Sequence, residues 1–414
     1  MSFLIGLVSE ILYRLFYPIL IIFHKHGNYS DSDIKLKKGY LEFNNENKKV
    51  IMFHGVSVGE VNAIEKLIKK SREVFNDVKI VVTTGTNTGQ ELAHKKLDDV
   101  SDLITYFPFD TPSCVNRFLD NVKPDIIMIA ETEIWPNIGI ECKKRGIKLC
   151  IINGRISDRT YKSYKTLKFF FKPLLNNYAG IYTQSSEDLD KFLSLGTNPE
   201  TTKRMNNLKF DITQPEVNFE FDKSGRVLLA ASTHSGEDEI VLSVFDSLKQ
   251  KHSDLKLIIA PRHLTRKDEV ETLVGESGYT YGFRSEGISS MSDIDIMILD
   301  TMGELGKMFY YCDISFIGGS FNQTGGHNPL ESIIFTKPVI SGPSIHNFKD
   351  IYAIIQNANA GFVVKTKEAF KKIADNLLSD NKFYTETSKA GEKVFQSQQG
   401  ALEYVINVLK SFIK

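Results

Sequence analysis

Almost nothing in this chain ties it to an oxidising compartment, a structural metal or a nucleic acid. Its 414 residues include only four cysteines, Cys114, Cys142, Cys150 and Cys312. They form no CxxC pair and no zinc-ligand spacing, which excludes a disulfide framework and fits reduced thiols in a cytosolic compartment. Charge of one sign is missing as well. Fifty-one basic residues balance fifty-one acidic ones, so no global field recruits nucleic acid, and an anionic partner must meet a local patch. There is no tandem repeat. Neither the dinucleotide pattern GxGxxG nor the P-loop pattern GxxxxGK[ST] occurs, which argues against NAD enzymes and P-loop ATPases. The 42% apolar and 25% charged residues are those of a globular protein.

One long hydrophobic run is present, at the start. Residues 1–23 read MSFLIGLVSEILYRLFYPILIIF, long and apolar enough to reach across a bilayer. Glu10 and Arg14 interrupt it, four residues apart, where they can pair on one helix face. No small-residue cleavage site follows, which argues against a removed signal peptide. Lys25, Lys35, Lys37 and Lys38 come next, a basic flank expected on the cytoplasmic side. The segment is expected to be an N-terminal anchor helix, either spanning the membrane or lying in its interface.

The length predicts two domains, because single cores rarely grow beyond ~250–300 residues. From about residue 48 the chain alternates apolar runs with helical periods. The first half has runs at 50–54, 78–83, 103–107, 126–130, 147–152 and 181–183; the second has them at 226–231, 255–260, 295–299, 313–317, 338–341 and 361–364. Such alternation predicts two α/β, Rossmann-like domains with doubly wound parallel sheets. The expected boundaries are 40–212 and 213–395, with a terminal helix at 400–414 and a linker at 211–225. Two such sheets facing each other would form a cleft suited to a small molecule.

The first chemical motif is HGVSVGE at 54–60. A strand ends at His54, Gly55 and Gly59 bracket a turn, and Glu60 opens a helix whose apolar positions 61, 64, 67 and 68 keep helical spacing. Ligands of open parallel sheets lie beyond the carboxyl ends of strands, so Glu60 is a candidate general base. The competing reading is a carboxylate that complements the helix dipole. Glu131 and Glu133 close the run 126–130, beside Trp135, the single tryptophan; Glu131, nearer the strand end, is the better candidate acid. Arg155, Arg159, Lys162, Lys165, Lys168 and Lys172 follow, with Phe169, Phe170 and Phe171 among them. This mixture of charge and aromatics suits lipid-bound phosphate. Lys209 lies in NLKFD, at the end of the first half.

In the second half the loop GGSFNQTGGH, 318–327, opens a helix at Asn328, Pro329, Leu330 and Glu331. Asn is a favoured cap and Pro a favoured first helical residue. Amides at such a start face an anion, and glycine permits its close approach. Gly318, Gly319 and Ser320 are thus expected at a phosphate, and Glu331 at ribose hydroxyls. Pro261 and Arg262 end one strand, and Met302, Gly303 and Glu304 follow another; both loops are consistent with the same nucleotide pocket.

Together the stretches HGVSVGE, ETEIWPN, NGRISDRTY, NLKFD, APRH, MGEL and GGHNPLE, in order from 54 to 331, resemble the 3-deoxy-D-manno-octulosonic acid (Kdo) transferases of lipopolysaccharide synthesis. One departure is Gly55, where alanine often follows the histidine. The resemblance implies a GT-B glycosyltransferase at the inner membrane, on its cytoplasmic side. It implies inverting transfer of Kdo from CMP-Kdo to a lipid A precursor (lipid IVA), with no cofactor and no metal. It assigns Glu60 as proton acceptor, and Glu131 and Lys209 to support of the transition state. Pro261, Arg262, Met302, Gly303, Glu304 and the 318–320 and 328–331 segments would hold CMP. Arg155, Arg159 and Lys162 would meet the acceptor. Two other readings remain open on the residues: a GT-B transferase using a UDP-sugar, and a membrane-anchored sugar-nucleotide-binding protein without catalysis.

Overall fold

The computed structural model of the protein describes residues 29–413. The expected anchor at 1–23 lies outside them. Among the described residues no helix is long and apolar enough to cross a membrane. The chain divides into two compact units, one ending at Asp211 and resuming at Gln398, the other running Ile212–Ser397.

The first unit is built on seven strands: β1 Lys49–His54, β2 Val78–Thr84, β3 Leu103–Tyr106, β4 Ile126–Ala130, β5 Lys148–Gly154, β6 Gly180–Thr183 and β7 Thr202–Arg204. All pairs are parallel, in the order β3-β2-β1-β4-β5-β6-β7. A parallel sheet covered on both faces needs continuous apolar strands rather than alternating ones, and β1 meets that need. Ile51 and Phe53 enter one core with Ile64 and Leu67. Val50 and Met52 enter the opposite one with Phe118 and Ile127. The helix Val58–Val74 buries Val61, Ile64, Leu67 and Ile68, the positions its spacing marked. The last helix, Ala401–Phe412, adds Ala401, Val405, Ile406 and Leu409 to the core containing Ile64.

The second unit repeats the plan. Its strands are β8 Arg226–Thr233, β9 Leu255–Pro261, β10 Tyr281–Phe283, β11 Ile296–Ile298, β12 Ile314–Ile317, β13 Val339–Ser341 and β14 Gly361–Val363. The order is β10-β11-β9-β8-β12-β13-β14, again all parallel. The stretch expected as a free linker is partly built into this unit. Phe221 is buried and packs edge-on to Tyr311, and Asp222 bridges to Ser290. Two short strands, β7 and β10, and the long helix Asn381–Gln398 had no counterpart among the expected elements.

The order of the first sheet reverses between β1 and β4, and that of the second between β8 and β12, with β10 and β11 exchanged at its edge. Such switch points are where open α/β sheets bind ligands.

Candidate active site

The first switch point gathers three carboxylates. Glu60 stands in the first turn of the helix after β1, and Glu131 and Glu133 follow β4. One Glu60 oxygen accepts the Val56 amide, and the Ser57 hydroxyl lies 3.4 Å from the other. Burial pushes Glu60 up to about 7, with the charges of Glu131 and Glu133 adding to the rise against the Val56 hydrogen bond. Burial also raises Glu133, with Glu131 contributing. A carboxyl poised there can take a proton near neutral pH. Both readings of Glu60 therefore have a counterpart in the geometry: it satisfies a donor at the helix start, and it is held far from an ordinary carboxylate.

The surroundings fix this corner. The Val56 carbonyl accepts from the amides of Gly85 and Thr86, which ties the Glu60 turn to the loop after β2. A Cβ at Gly85 would fall 2.7 Å from the Val56 side chain, so any larger residue would force that side chain to shift. His54 is fully buried; its Nδ1 lies 3.1 Å from the Thr83 carbonyl, and its ring stacks on Phe107 at 4.0 Å. Burial holds the imidazole down to about 3, so it is neutral and no proton donor at pH 7. Glu131 takes a left-handed backbone, φ 58°, a conformation that costs a non-glycine residue and recurs at functional sites.

Arg155, expected at the acceptor, pairs with Glu131 at 2.9 Å, so the structure joins two residues that the sequence reading kept apart. Arg159 and Lys162 lie on the helix Asp158–Thr166, which buries no residue, and they are exposed. Beside them Leu167 is 46% and Phe169 75% exposed, an apolar tip within a basic surface. Lys209 sits in a 3-10 turn, Leu208–Phe210, whose start is fixed by the Asn207 side chain accepting the Lys209 amide at 3.0 Å.

At the second switch point one expectation needs correcting. The amides of Gly319 and Ser320 do not face outward toward an anion. With that of Phe321 they donate to Glu237, at 2.7, 2.8 and 2.9 Å, and the same carboxylate accepts the His234 amide at 2.9 Å. Glu237 is buried in the first turn of the helix after β8, so an internal anion already occupies the loop's donors. Gly318 is required for a different reason: a Cβ would sit 2.3 Å from the Ser232 carbonyl oxygen. Glu304 is likewise engaged, by Arg284 at 2.8 Å and by Thr301. It braces the loop in which Met302 is 83% exposed and Gly303 adopts φ +81°.

The groups that remain for a ligand in this unit lie at the ends of β8, β9 and β12. Arg262 follows the buried Pro261 and is exposed. Glu331 is raised by burial, with Arg262 acting in the opposite sense. Asn328 accepts the Leu330 amide at 3.1 Å, ahead of a single helical turn, Leu330–Ile333; Pro329, expected as its first residue, stands at the cap position instead, and Pro329 and Leu330 are both buried. His234 and His327 face each other, Nε2 to Nε2, at 2.9 Å. Sequence reasoning missed Glu237, His234 and His327. The available signal was a Gly-Glu pair opening the first helix of each half, 59–60 and 236–237. Among the described residues no cluster of metal-ligating side chains is found.

Comparison with known proteins assigns the family. A profile described as 3-deoxy-D-manno-octulosonic-acid transferase (kdotransferase) matches residues 33–212. A bifunctional glycosyltransferase/methyltransferase of Fusobacterium nucleatum is 37% identical over 344 residues, 80% of this chain; the chain spans about half, 53%, of that relative's length. A 3-deoxy-D-manno-octulosonic acid transferase of Haemophilus influenzae is 31% identical over 373 residues, 88% of this chain and 87% of the relative. Among solved structures, UDP-GlcNAc 2-epimerase from Neisseria meningitidis bound to UDP-GlcNAc aligns over 88% of this chain and 100% of its own, with a TM-score of 0.56 at 13% identity, which speaks to fold alone. With two parallel, doubly wound sheets and a relative this similar over nearly its whole length, the chain belongs to the 3-deoxy-D-manno-octulosonic acid transferase family.

Proposed function

We propose that the chain is an inverting glycosyltransferase that moves Kdo from CMP-Kdo to the glucosamine disaccharide of a lipid A precursor, lipid IVA. The observation that carries this reading is the Glu60 carboxyl at the β1–β4 switch point, pushed up to about 7. Binding alone needs no base there; attack by a sugar hydroxyl does. As the hydroxyl oxygen bonds to the anomeric carbon of Kdo, its proton passes to Glu60. The bond from that carbon to the phosphate breaks, and its electron pair stays on the phosphate through an oxocarbenium-like transition state. CMP leaves with one more negative charge than it carried in the donor, and cations fixed in advance stabilise such charge best. Arg262 and Lys209 are assigned that role, with Glu331 holding the nucleotide. Glu131, held by Arg155 at 2.9 Å, is assigned to support of the transition state. The reaction so written calls for no cofactor and no metal.

The acceptor is a lipid, and the basic surface within 158–172 supports contact with a membrane on the cytoplasmic side. Arg159, Lys162, Lys165, Lys168 and Lys172 surround exposed Leu167 and Phe169, basic charge combined with apolar side chains. Reversing the charge of Lys162 and Lys165 is expected to weaken sedimentation with anionic vesicles, each lysine near such a surface being worth ~1 kcal/mol. Unchanged sedimentation would remove this face from membrane contact.

The deciding experiment is incubation of the protein with CMP-Kdo and a lipid A precursor, followed by mass spectrometry of the lipid. The expected product is the precursor enlarged by Kdo, with CMP released in step. In calorimetry Glu331→Ala and Arg262→Ala are each expected to weaken CMP binding by ~1–3 kcal/mol. Turnover with UDP-sugars only would replace the donor in this reading.

A further inference from the structure

Charge appears on the departing phosphate, and two histidines in the second unit are built to respond to it. His234 ends the β8 corner and His327 comes from the loop after β12. Their rings stack 5.2 Å apart with 9° between planes, and their Nε2 atoms are 2.9 Å apart. At that separation the two nitrogens share one hydrogen, one ring donating Nε2–H and the other presenting its lone pair. The backbone holds both residues: the His234 amide donates to Glu237 at 2.9 Å, and the His327 amide to the Gly318 carbonyl at 3.2 Å. Gly319 makes room, since a Cβ there would lie 3.0 Å from His327 Cδ2 and 3.1 Å from Nε2.

A second proton on the pair is opposed from several sides. His263 meets His234 edge-on at 5.8 Å. Arg262 and Arg266, from the segment after β9, act on His234, and Arg262 also acts on His327; Glu237 alone favours charge on His234. Arg262 acts on Glu331 as well. Burial comes first among the causes that lower both imidazoles, His327 to about 4. At neutral pH the empty pair is therefore uncharged.

We propose that His234 and His327 form a proton-binding seat for the nucleotide phosphate. When a monophosphate dianion arrives, the pair takes one proton from solvent, and the hydrogen bond between the rings gives way to two Nε2–H donors on phosphoryl oxygens. This rests on the reading that the second unit holds CMP. In the reaction the hydroxyl proton goes to Glu60 and the electron pair of the broken bond goes to the phosphate; the solvent proton on the histidines offsets that new charge.

The test is titration of the full-length protein with CMP at pH 7.5, by calorimetry in buffers of different ionisation enthalpy. Phosphate monoesters lose their second proton near pH 6, so CMP is already mostly a dianion and any proton taken up is the protein's. Uptake approaching one proton per CMP is expected, none with cytidine, and affinity falling up to tenfold per pH unit above 7.5. His327→Gln and His234→Gln are each expected to abolish the uptake and flatten the pH dependence. His234 adjoins the buried Glu237 contacts, so if its variant does not fold, His327→Gln and the wild type decide. No uptake in the wild type, or unaltered uptake in His327→Gln, overturns the proposal. If CMP does not bind, or Glu331→Ala binds it as the wild type does, the nucleotide reading fails and the seat with it. If Glu331→Ala weakens CMP while the histidine variants keep the uptake, only the seat fails.

Discussion

Glu60 has two duties that oppose each other. Accepting the Val56 amide favours its anion, whereas burial and the charges of Glu131 and Glu133 favour the acid, and the second group prevails. The unfolded chain ionises this group near 4.5 and the folded one near 7. Between those values the folded state binds the extra proton, so stability falls as pH rises through the window, and the penalty is complete above about 7. Glu60→Gln removes the penalty. That variant is expected to resist thermal unfolding better at pH 8, by on the order of 3 kcal/mol, with little change at pH 4, while losing at least ~10²-fold in turnover. A variant that keeps its turnover would leave Glu60 with the helix-start task alone. The same electrostatics predict a shift in the pH–rate profile. Its acidic limb should lie near 7 and move to lower pH in Glu133→Gln, because one repelling carboxylate has gone. A limb that stays in place would take Glu133 out of the field that tunes Glu60.

At the scale of elements, each unit joins strand to helix by a corner ending in Gly-Glu, and the two glutamates are used differently. Glu60 caps its own turn and remains titratable. Glu237 reaches across to the loop after β12 and is consumed by four backbone donors. Glu237→Ala would leave those amides without their acceptor, a cost of about 3 kcal/mol. We expect a lower urea midpoint with an unchanged slope, together with weaker CMP binding; an unchanged midpoint would mean that water replaces the carboxylate freely. This contrast also explains what the sequence could disclose. The β1 corner was legible because its signals are local: an apolar run, two glycines and a helical period within 50–68. The glycines of 318–326 disclosed that the backbone needed freedom there, but not which anion it would meet, because the acceptor lies 82 residues earlier. The pairing of Arg155 with Glu131 was hidden in the same way, each residue being readable alone but not as a partner. β7 left no trace because Thr-Lys-Arg, a three-residue edge strand, carries no apolar run.

For the whole molecule, the chain leaves the first unit at Asp211, builds the second, and returns at Gln398. The residue at the exit also receives the return. Asp211 accepts the Gly400 amide at 2.7 Å and that of Leu402, at the start of the helix Ala401–Phe412, while Asn206 donates to the Gln399 carbonyl at 3.1 Å. The last residue of NLKFD is thereby a helix cap, a task that nothing near it in sequence announces. The helix it starts completes the core around Ile64 and Leu67, so the stability of the first unit depends on a segment made after the second. Asp211→Ala should cost about 1 kcal/mol, the usual value of a lost cap, and only in the first unit. Trp135 is the single tryptophan and belongs to that unit, so its fluorescence reports the first unit alone. The midpoint followed by fluorescence is expected to fall in Asp211→Ala, while the protection that CMP gives the second unit, followed by calorimetry, stays as in the wild type. Equal shifts in both signals would show that the two units unfold as one, and that the cap stabilises the chain as a whole.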